Sequence, residues 1–232
     1  MKKFGFLIFA FALVVGLVAA SASSIGKLSS GTFDFHFGGV KGSGNVVKER
    51  RDSSGFHAIE VGNAIQVEIT AQKDFNVEVE ADDNIVPLIK TEVIGGVLKI
   101  TCEKSHISTS SPMRVRISAP DIDALESSGA SNITIAGIKN TGISVDSSGA
   151  SKVKIDGETS KLTVELSGAS KFDATSLTAE NGIVDVSGAS NASVNVTGSL
   201  RADASGASRV SYAGSPRELI KKASGASSIS GQ

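Results

Sequence analysis

Ser128-Gly129-Ala130-Ser131 is the first of six copies of one tetrapeptide; the others are Ser148 to Ser151, Ser167 to Ser170, Ser187 to Ser190, Ser205 to Ser208 and Ser224 to Ser227. Their glycines are 20, 19, 20, 18 and 19 residues apart, a period too even for low-complexity drift and suited to the turns of a solenoid. Two positions before each glycine stand Ser127, Ser147, Leu166, Val186, Ala204 and Ala223, and four before it Leu125, Val145, Val164, Val184, Ala202 and Lys221. Four after it come Ile133, Val153, Phe172, Ala192, Val210 and Ile229, and six after it Ile135, Ile155, Ala174, Val194 and Tyr212. Apolar residues thus recur with period two on both sides of the tetrapeptide, which predicts two short strands per repeat meeting at a glycine corner. One lap leaves its inward residues in an open trough. Laps stacked about 4.8 Å apart close the core and pair every strand with its equivalents. The expected fold is all-β, a single-chain parallel β-helix (β-solenoid) with turns of about 19 residues, right-handed by the general preference of parallel crossovers.

The 232 residues include 25 Gly, no Trp and one Tyr, which fits a Gly-rich β chain with room for one elongated domain or two closely joined ones. Met1-Lys2-Lys3, an apolar run from Phe4 to Ala20 and Ala20-Ser21-Ala22 have the three parts of a secretory signal, with cleavage expected after Ala22. The formal charge of -1 becomes about -3 once the two lysines of the leader are gone. No basic stripe is present to neutralise phosphates, so no nucleic-acid partner is expected. Cys102, the only cysteine, has no intrachain partner and lies in a strand-like run, Val97 to Cys102.

Ser23 to Gly44 is a Gly/Ser-rich leader with Phe33, Phe35 and Phe37 at alternating positions. Strand patterns follow at Val46 to Lys48, Phe56 to Val61, Ile65 to Thr70, Asn76 to Glu80, Val97 to Cys102 and Arg114 to Ser118, with Gly95-Gly96 as a hairpin signal. Gly62-Asn63-Ala64, followed by Ile65, Val67 and Ile69 with strand parity, looks like a degenerate repeat. Asp82-Asp83-Asn84 reads as the cap of one short helical turn over Ile85 to Leu88; as a calcium loop it lacks the later ligands and the glycine. The expected organisation is a signal peptide over 1–22, the leader over 23–44, an N-terminal β region over 45–119 and a β-solenoid over 120–232.

Gly44-Asn45-Val46-Val47, Gly55-Phe56-His57-Ala58-Ile59-Glu60-Val61, Val77-Glu78-Val79-Glu80-Ala81-Asp82-Asp83-Asn84, Gly96-Val97-Leu98-Lys99-Ile100 and the Ser-Gly-Ala-Ser series occur in that order. Over about residues 44 to 230 the chain resembles the family called putative auto-transporter adhesin, head GIN domain. The resemblance implies a secreted or surface protein of bacteria, a β-helical fold similar to pectin lyases without their catalytic residues, and a role in adhesion. No translocator barrel, sorting signal or lipobox is seen in these residues, so self-export across an outer membrane is not expected.

Glu126, Asp146, Glu165, Asp185 and Asp203 each stand three residues before a glycine. Stacked, they would form an outward acidic column, with Lys152, Lys171 and Arg209 across the corner able to relieve its repulsion. One reading is a solvated face that discourages lateral aggregation; the other is divalent-cation binding, against which the Gly-Gly-x-Gly-x-Asp calcium repeat is absent. Lys221 and Lys222 break the pattern in the sixth repeat and would protect a terminal edge. His36, His57 and His106 have neither zinc nor triad spacing, and no Gly-x-Ser-x-Gly elbow occurs. No catalytic, cofactor-binding or metal-binding residue is therefore assigned, and no cofactor is expected. The reading is an exported, non-catalytic β-solenoid acting as a structural or adhesin-like binding module at the bacterial cell envelope, in the periplasm, on the cell surface or secreted. Its partner would be an unidentified protein or polysaccharide, and no membrane span remains after signal cleavage. The alternatives are a carbohydrate-active β-helix enzyme, a polysaccharide lyase or hydrolase, and a cation-binding surface component.

Overall fold

The computed structural model describes residues 39–104 and 106–232. The signal peptide expected over 1–22, the Phe33, Phe35 and Phe37 alternation and His36 lie outside the described residues. In chain order the strands are β1 (Val40–Lys41), β2 (Val46–Arg51), β3 (Ala58–Val61), β4 (Gln66–Thr70), β5 (Asn76–Asp82), β6 (Ile89–Ile94), β7 (Val97–Cys102), β8 (Ile107–Ser108) and β9 (Arg114–Ser118). They continue as β10 (Ala124–Ser127), β11 (Asn132–Asn140), β12 (Ile143–Ser147), β13 (Lys152–Leu166), β14 (Lys171–Val186), β15 (Asn191–Ala204), β16 (Arg209–Ala213), β17 (Glu218–Ala223) and β18 (Ser228–Gly231). One 3-10 turn, Val86–Leu88, interrupts them.

The strands before the corner form a parallel ladder in the order β7, β3, β10, β12, β13, β14, β15, β17. Those after the corner stack as β9, β4, β11, β13, β14, β15, β16, β18. The longer strands also run along a return side, where Ile138 to Asn140 pair with Gly157 to Thr159 and Asp156 to Lys161 with Ser176 to Asn181. This is a β-solenoid of stacked parallel coils, as the period predicts. Its inward columns follow the expected parity: Leu98, Ile59, Leu125, Val145, Val164, Val184 and Ala202 on one side, and Val115, Val67, Ile133, Val153, Phe172, Ala192 and Val210 on the other, are all buried.

The recurrent glycines line up. Gly129, Gly149, Gly168, Gly188, Gly206 and Gly225 have φ between +72° and +84°, the left-handed region that costs a side-chain-bearing residue about 1–2 kcal/mol. Each following alanine donates its N–H to the corner carbonyl one coil back: Ala150 to Gly129 at 2.7 Å, Ala169 to Gly149 at 2.7 Å and Ala189 to Gly168 at 2.8 Å. The ladder therefore continues through the bend, and backbone groups stay paired where a looser turn would leave them orphaned. The last serine of each tetrapeptide turns inward, and Ser131, Ser151, Ser170, Ser190 and Ser208 are all buried. Their small hydroxyls find nearby acceptors, as when Ser170 Oγ donates to Ser167 O at 3.1 Å and Ser208 Oγ to Val186 O at 3.2 Å.

The parallel stack crosses the boundary expected at 119/120. Asn63, with φ 68°, occupies the corner below Gly129, and Ala130 N donates to Asn63 O at 2.9 Å, so the degenerate repeat at Gly62 to Ala64 is a true corner. One coil is out of chain order. β7 and β9 lie on the outer side of β3 and β4, and the chain then passes back over to build every later coil on the other side. Antiparallel strands close that end: β6 pairs with β7 through the Gly95-Gly96 turn, β5 pairs with β9, and β2 pairs with β5.

The capping role expected of Asp82, Asp83 and Asn84 is not what the structure holds. The 3-10 turn starts after Ile85 with no side-chain cap, and these residues instead tie three segments together. Asp83 accepts from Ser43 Oγ at 2.5 Å and Asn45 Nδ2 at 2.9 Å, Asn84 Nδ2 donates to Lys41 O at 2.8 Å, and Asp82 accepts from Thr109 Oγ1 at 2.7 Å. Long-range partners across the coil outcompete one orphan N–H of a three-residue turn.

Candidate functional site

The alternation that buries one face of each strand exposes the other, and parallel register turns that second face into straight columns. Three residues before each corner the column reads Lys99, Glu60, Glu126, Asp146, Glu165, Asp185, Asp203, Lys222. Five of its carboxylates are the ones the tetrapeptide spacing picks out. The sixth, Glu60, stands three before Asn63 and was legible once Asn63 is counted as a corner. Lys99 was not, because its coil is out of chain order.

Lys99 Nζ sits 2.5 Å from Glu60 Oε2. The Glu60 carboxylate, by hydrogen bond and by charge, and the charge of Glu126 beyond it hold the Lys99 ammonium above its ordinary range. Glu126, Asp146, Glu165 and Asp185 are exposed. The relief expected from across the corner does not form: no ion pair among the described residues joins the column to Lys152, Lys171 or Arg209. Like charges opposite one another in neighbouring strands oppose the stack. The corner hydrogen bonds and the packed interior hold it in place nonetheless.

A second charged region lies where the antiparallel strands cover the solenoid. Arg116 reaches Glu68 at 3.2 Å, Glu78 at 3.1 Å and Glu80 at 2.5 Å; Arg114 reaches Glu68 at 3.1 Å and Glu80 at 3.5 Å; Lys48 reaches Glu78 at 3.4 Å and Glu80 at 3.5 Å. The Arg116 hydrogen bond is the main reason that the Glu80 carboxyl titrates below its usual value, with burial opposing it and the Arg116 and Lys48 charges adding to it. These charges pair with one another and join β2, β5, β9 and β4 into one unit.

The sequence candidates for chemistry stay apart. Cys102 is buried at the end of β7, and His106 is exposed. His57 Nδ1 meets Asp123 Oδ1 at 2.8 Å on the exposed surface beside the Gly95-Gly96 turn, where a Cβ on Gly96 would lie 2.8 Å from Nε2. Among the described residues no group of three or more His, Cys, Asp or Glu side chains is arranged to hold a metal ion. No helix among the described residues is long and apolar enough to cross a membrane.

Residues 55–216 match the model of the family described as putative auto-transporter adhesin, head GIN domain. Among solved structures, a putative adhesin from Bacteroides fragilis NCTC 9343 superposes with a TM-score of 0.69 at 20% identity, covering 84% of this chain and 100% of that one. A putative adhesin from Parabacteroides distasonis ATCC 8503 superposes with a TM-score of 0.50 at 18% identity, covering 83% of this chain and 99% of that one. At these identities the likeness establishes the fold. No curated protein matches the chain.

Proposed function

We propose, because the chain belongs to the putative auto-transporter adhesin, head GIN domain family, that it is an exported, non-catalytic, adhesin-like binding module of the bacterial cell envelope, with a protein or polysaccharide as partner. The observation that carries the reading is the outward column running in strand register from Lys99 to Lys222. A solenoid whose interior is filled keeps its chemical variety for the outside, on a frame whose spacing is fixed by hydrogen bonds rather than by flexible loops. Six carboxylates in line offer a cationic partner many acceptors at once, each contact weak and the sum considerable. The signal-like start at Met1 to Ala22 supports export.

Two measurements test this. Fractionation of cells that carry the gene should find the chain outside the cytoplasm; retention inside refutes export. The purified chain should bind one or more members of a panel of envelope polysaccharides and matrix proteins, more weakly as salt rises. A variant carrying D146N, E165Q and D185N should bind several-fold less tightly. Equal binding by that variant moves the contact to another face, and release of reducing or unsaturated sugar ends from any polysaccharide of the panel refutes the non-catalytic reading.

A further inference from the structure

We infer that the cavity between the β4–β5 loop, β2 and the end of β9 is a binding site for an acidic sugar unit of a glycan. The inference rests on the binding-module reading and gives one of its ligands a chemical class and an address, away from the acidic column. The cavity has a volume of about 750 Å³, and Arg50, Gln72, Lys73, Asp74, Phe75 and Asn76 line it together with Ser118 and Pro120. That is within the several hundred Å³ usual for small-ligand sites.

Its charges are unspent. Arg50 lies opposite Glu78 in register, yet Glu78 is already engaged by Lys48 and Arg116. Neither Arg50 nor Lys73 forms an ion pair among the described residues, in a region where the neighbouring cations Lys48, Arg114 and Arg116 all do. The third charge is Asp74, so the cavity carries one net positive charge and suits a single carboxylate better than a polyanion. Phe75 is half-buried, leaning on Phe56 with centroids 5.0 Å apart and planes at 59°, and its remaining surface gives the apolar face of a sugar ring a place to rest. Asn76 and Ser118 supply hydrogen-bonding groups around it. Asp74, which would repel a bare anion, can accept from sugar hydroxyls.

The wall is also preformed. Gln72 holds φ 62°, a left-handed conformation that a residue with a side chain keeps only when its surroundings enforce it. Here they do: Gln72 N donates to Pro120 O at 3.3 Å, Lys73 N to Ala119 O at 3.1 Å, Gln72 Nε2 to Lys139 O at 3.4 Å, and Ser118 Oγ to Asp74 O at 2.6 Å. A loop pinned to the neighbouring coil at this many points has little ordering entropy left to lose on binding. In the assignment the carboxylate lies between Arg50 and Lys73, the guanidinium fork providing the directional contact, and the ring stacks on Phe75.

The test is calorimetric titration of the full chain with hyaluronan hexasaccharide and with hexamannuronate, against chitohexaose, which has acetamido sugars and no carboxylate. At least one acidic oligosaccharide should bind, with chitohexaose at least about ten-fold weaker, and R50A or K73A should each weaken binding by about ten-fold, the worth of a charged hydrogen bond. K152A removes an equal charge on a later coil and should leave affinity unchanged. Failure of both acidic oligosaccharides to bind, equal binding of chitohexaose, or equal loss in K152A would overturn the assignment while leaving column-dependent binding intact. Thermal scans of R50A and K73A should match the parent, since both positions are exposed. Cleavage of either acidic oligosaccharide would overturn the assignment and the non-catalytic reading together.

Discussion

Replacing Gly168 by alanine should destabilise the chain through two separable effects, both worked from the corner geometry. The backbone there has φ +74°, and a Cβ would lie 2.5 Å from Gly149 O, 3.0 Å from Gly149 N and 3.2 Å from Gly149 C. The left-handed conformation costs alanine about 1–2 kcal/mol. The overlap is with backbone that is itself hydrogen-bonded, so it can be relieved only by parting two coils, a strain of about 1–3 kcal/mol. The sum is about 2–5 kcal/mol, or a fall in Tm of roughly 4–20 °C for a chain of this size. Urea unfolding of G168A beside the parent measures it. Two further variants separate the causes. G168N keeps a residue that tolerates the left-handed region, so it should recover part of the loss and retain the clash. G225A meets Gly206 O at the looser distance of 2.9 Å and should cost distinctly less. A G168A variant within about 0.5 kcal/mol of the parent, the scatter of ordinary surface changes, or equal losses at positions 168 and 225, would refute the view that close backbone stacking at the corners holds the coils together.

Acid should open the latch at the antiparallel end before the solenoid. Hydrogen bonds from Thr109, then Ser111 and Gly44, hold the Asp82 carboxyl below its ordinary value, and those from Ser43 and Asn45 do the same for Asp83. Because both values are lower folded than unfolded, the stabilisation is full above the unfolded Asp value of about 3.9 and is lost as pH falls through the folded ones. Below about pH 4, amide exchange at Val40 and Gly42, which pair with His106 and Ser108, should speed up while Ala169 stays protected; simultaneous loss would contradict this. F172A, which empties the largest fully buried side chain of the later coils, should cost about 3–5 kcal/mol in the same urea assay. Ser127 Oγ and Ser147 Oγ, both buried, lie 2.9 Å apart, and Ser147 Oγ also donates to Ser170 Oγ at 3.4 Å, so S127A should cost about 0.5–1.5 kcal/mol by removing one of two partners, and S127A with S147A should cost less than the two single losses added together. Additive losses would mean that the two hydroxyls do not depend on each other.

The solenoid was legible because the features that enforce it are local and repeated. Each glycine answers one local demand, left-handed backbone under a neighbouring coil, and the parity around it states which side chains go inward; Leu125, Ile133, Val164, Phe172 and Val194 are buried as that parity requires. The hairpin at Gly95-Gly96 was legible for the same reason, since both glycines take positive φ of 59° and 81°. Lys221 follows the parity too, but β17 pairs only with β15 among the described strands. Among the described residues no further coil covers the inward side there, and Lys221 Nζ rests 5.7 Å from the centroid of the Tyr212 ring. The cavity at Arg50 and Phe75 was not legible, because it joins residues from β2, the β4–β5 loop and β9 that share no spacing. The latch at Asp82 to Asn84 was misread because its partners are about 40 residues away along the chain, at Ser43 and Asn45.

The order of the coils was hidden for a more general reason. Parallel pairing depends on which edges are free, and a chain that has built β3 and β4 has two free edges on each. The coil of β7 and β9 lacks the tetrapeptide, its corner being replaced by residues 103–113, so it cannot continue the glycine column and takes the opposite edge. Asn63 records that choice. At every later corner the space beneath the Cα is filled by the carbonyl of the corner one coil back, Asn63 O under Gly129 and a glycine carbonyl under each of the others, which forbids a side chain. Beneath Asn63 there is no such corner, and its side chain reaches down to accept the N–H of Cys102 at 3.0 Å, a group that a glycine at 63 would leave without that acceptor. The one corner residue with a side chain therefore marks the point at which the stack stops following the chain, and a departure from an otherwise strict repeat carries more topological information than the repeat itself.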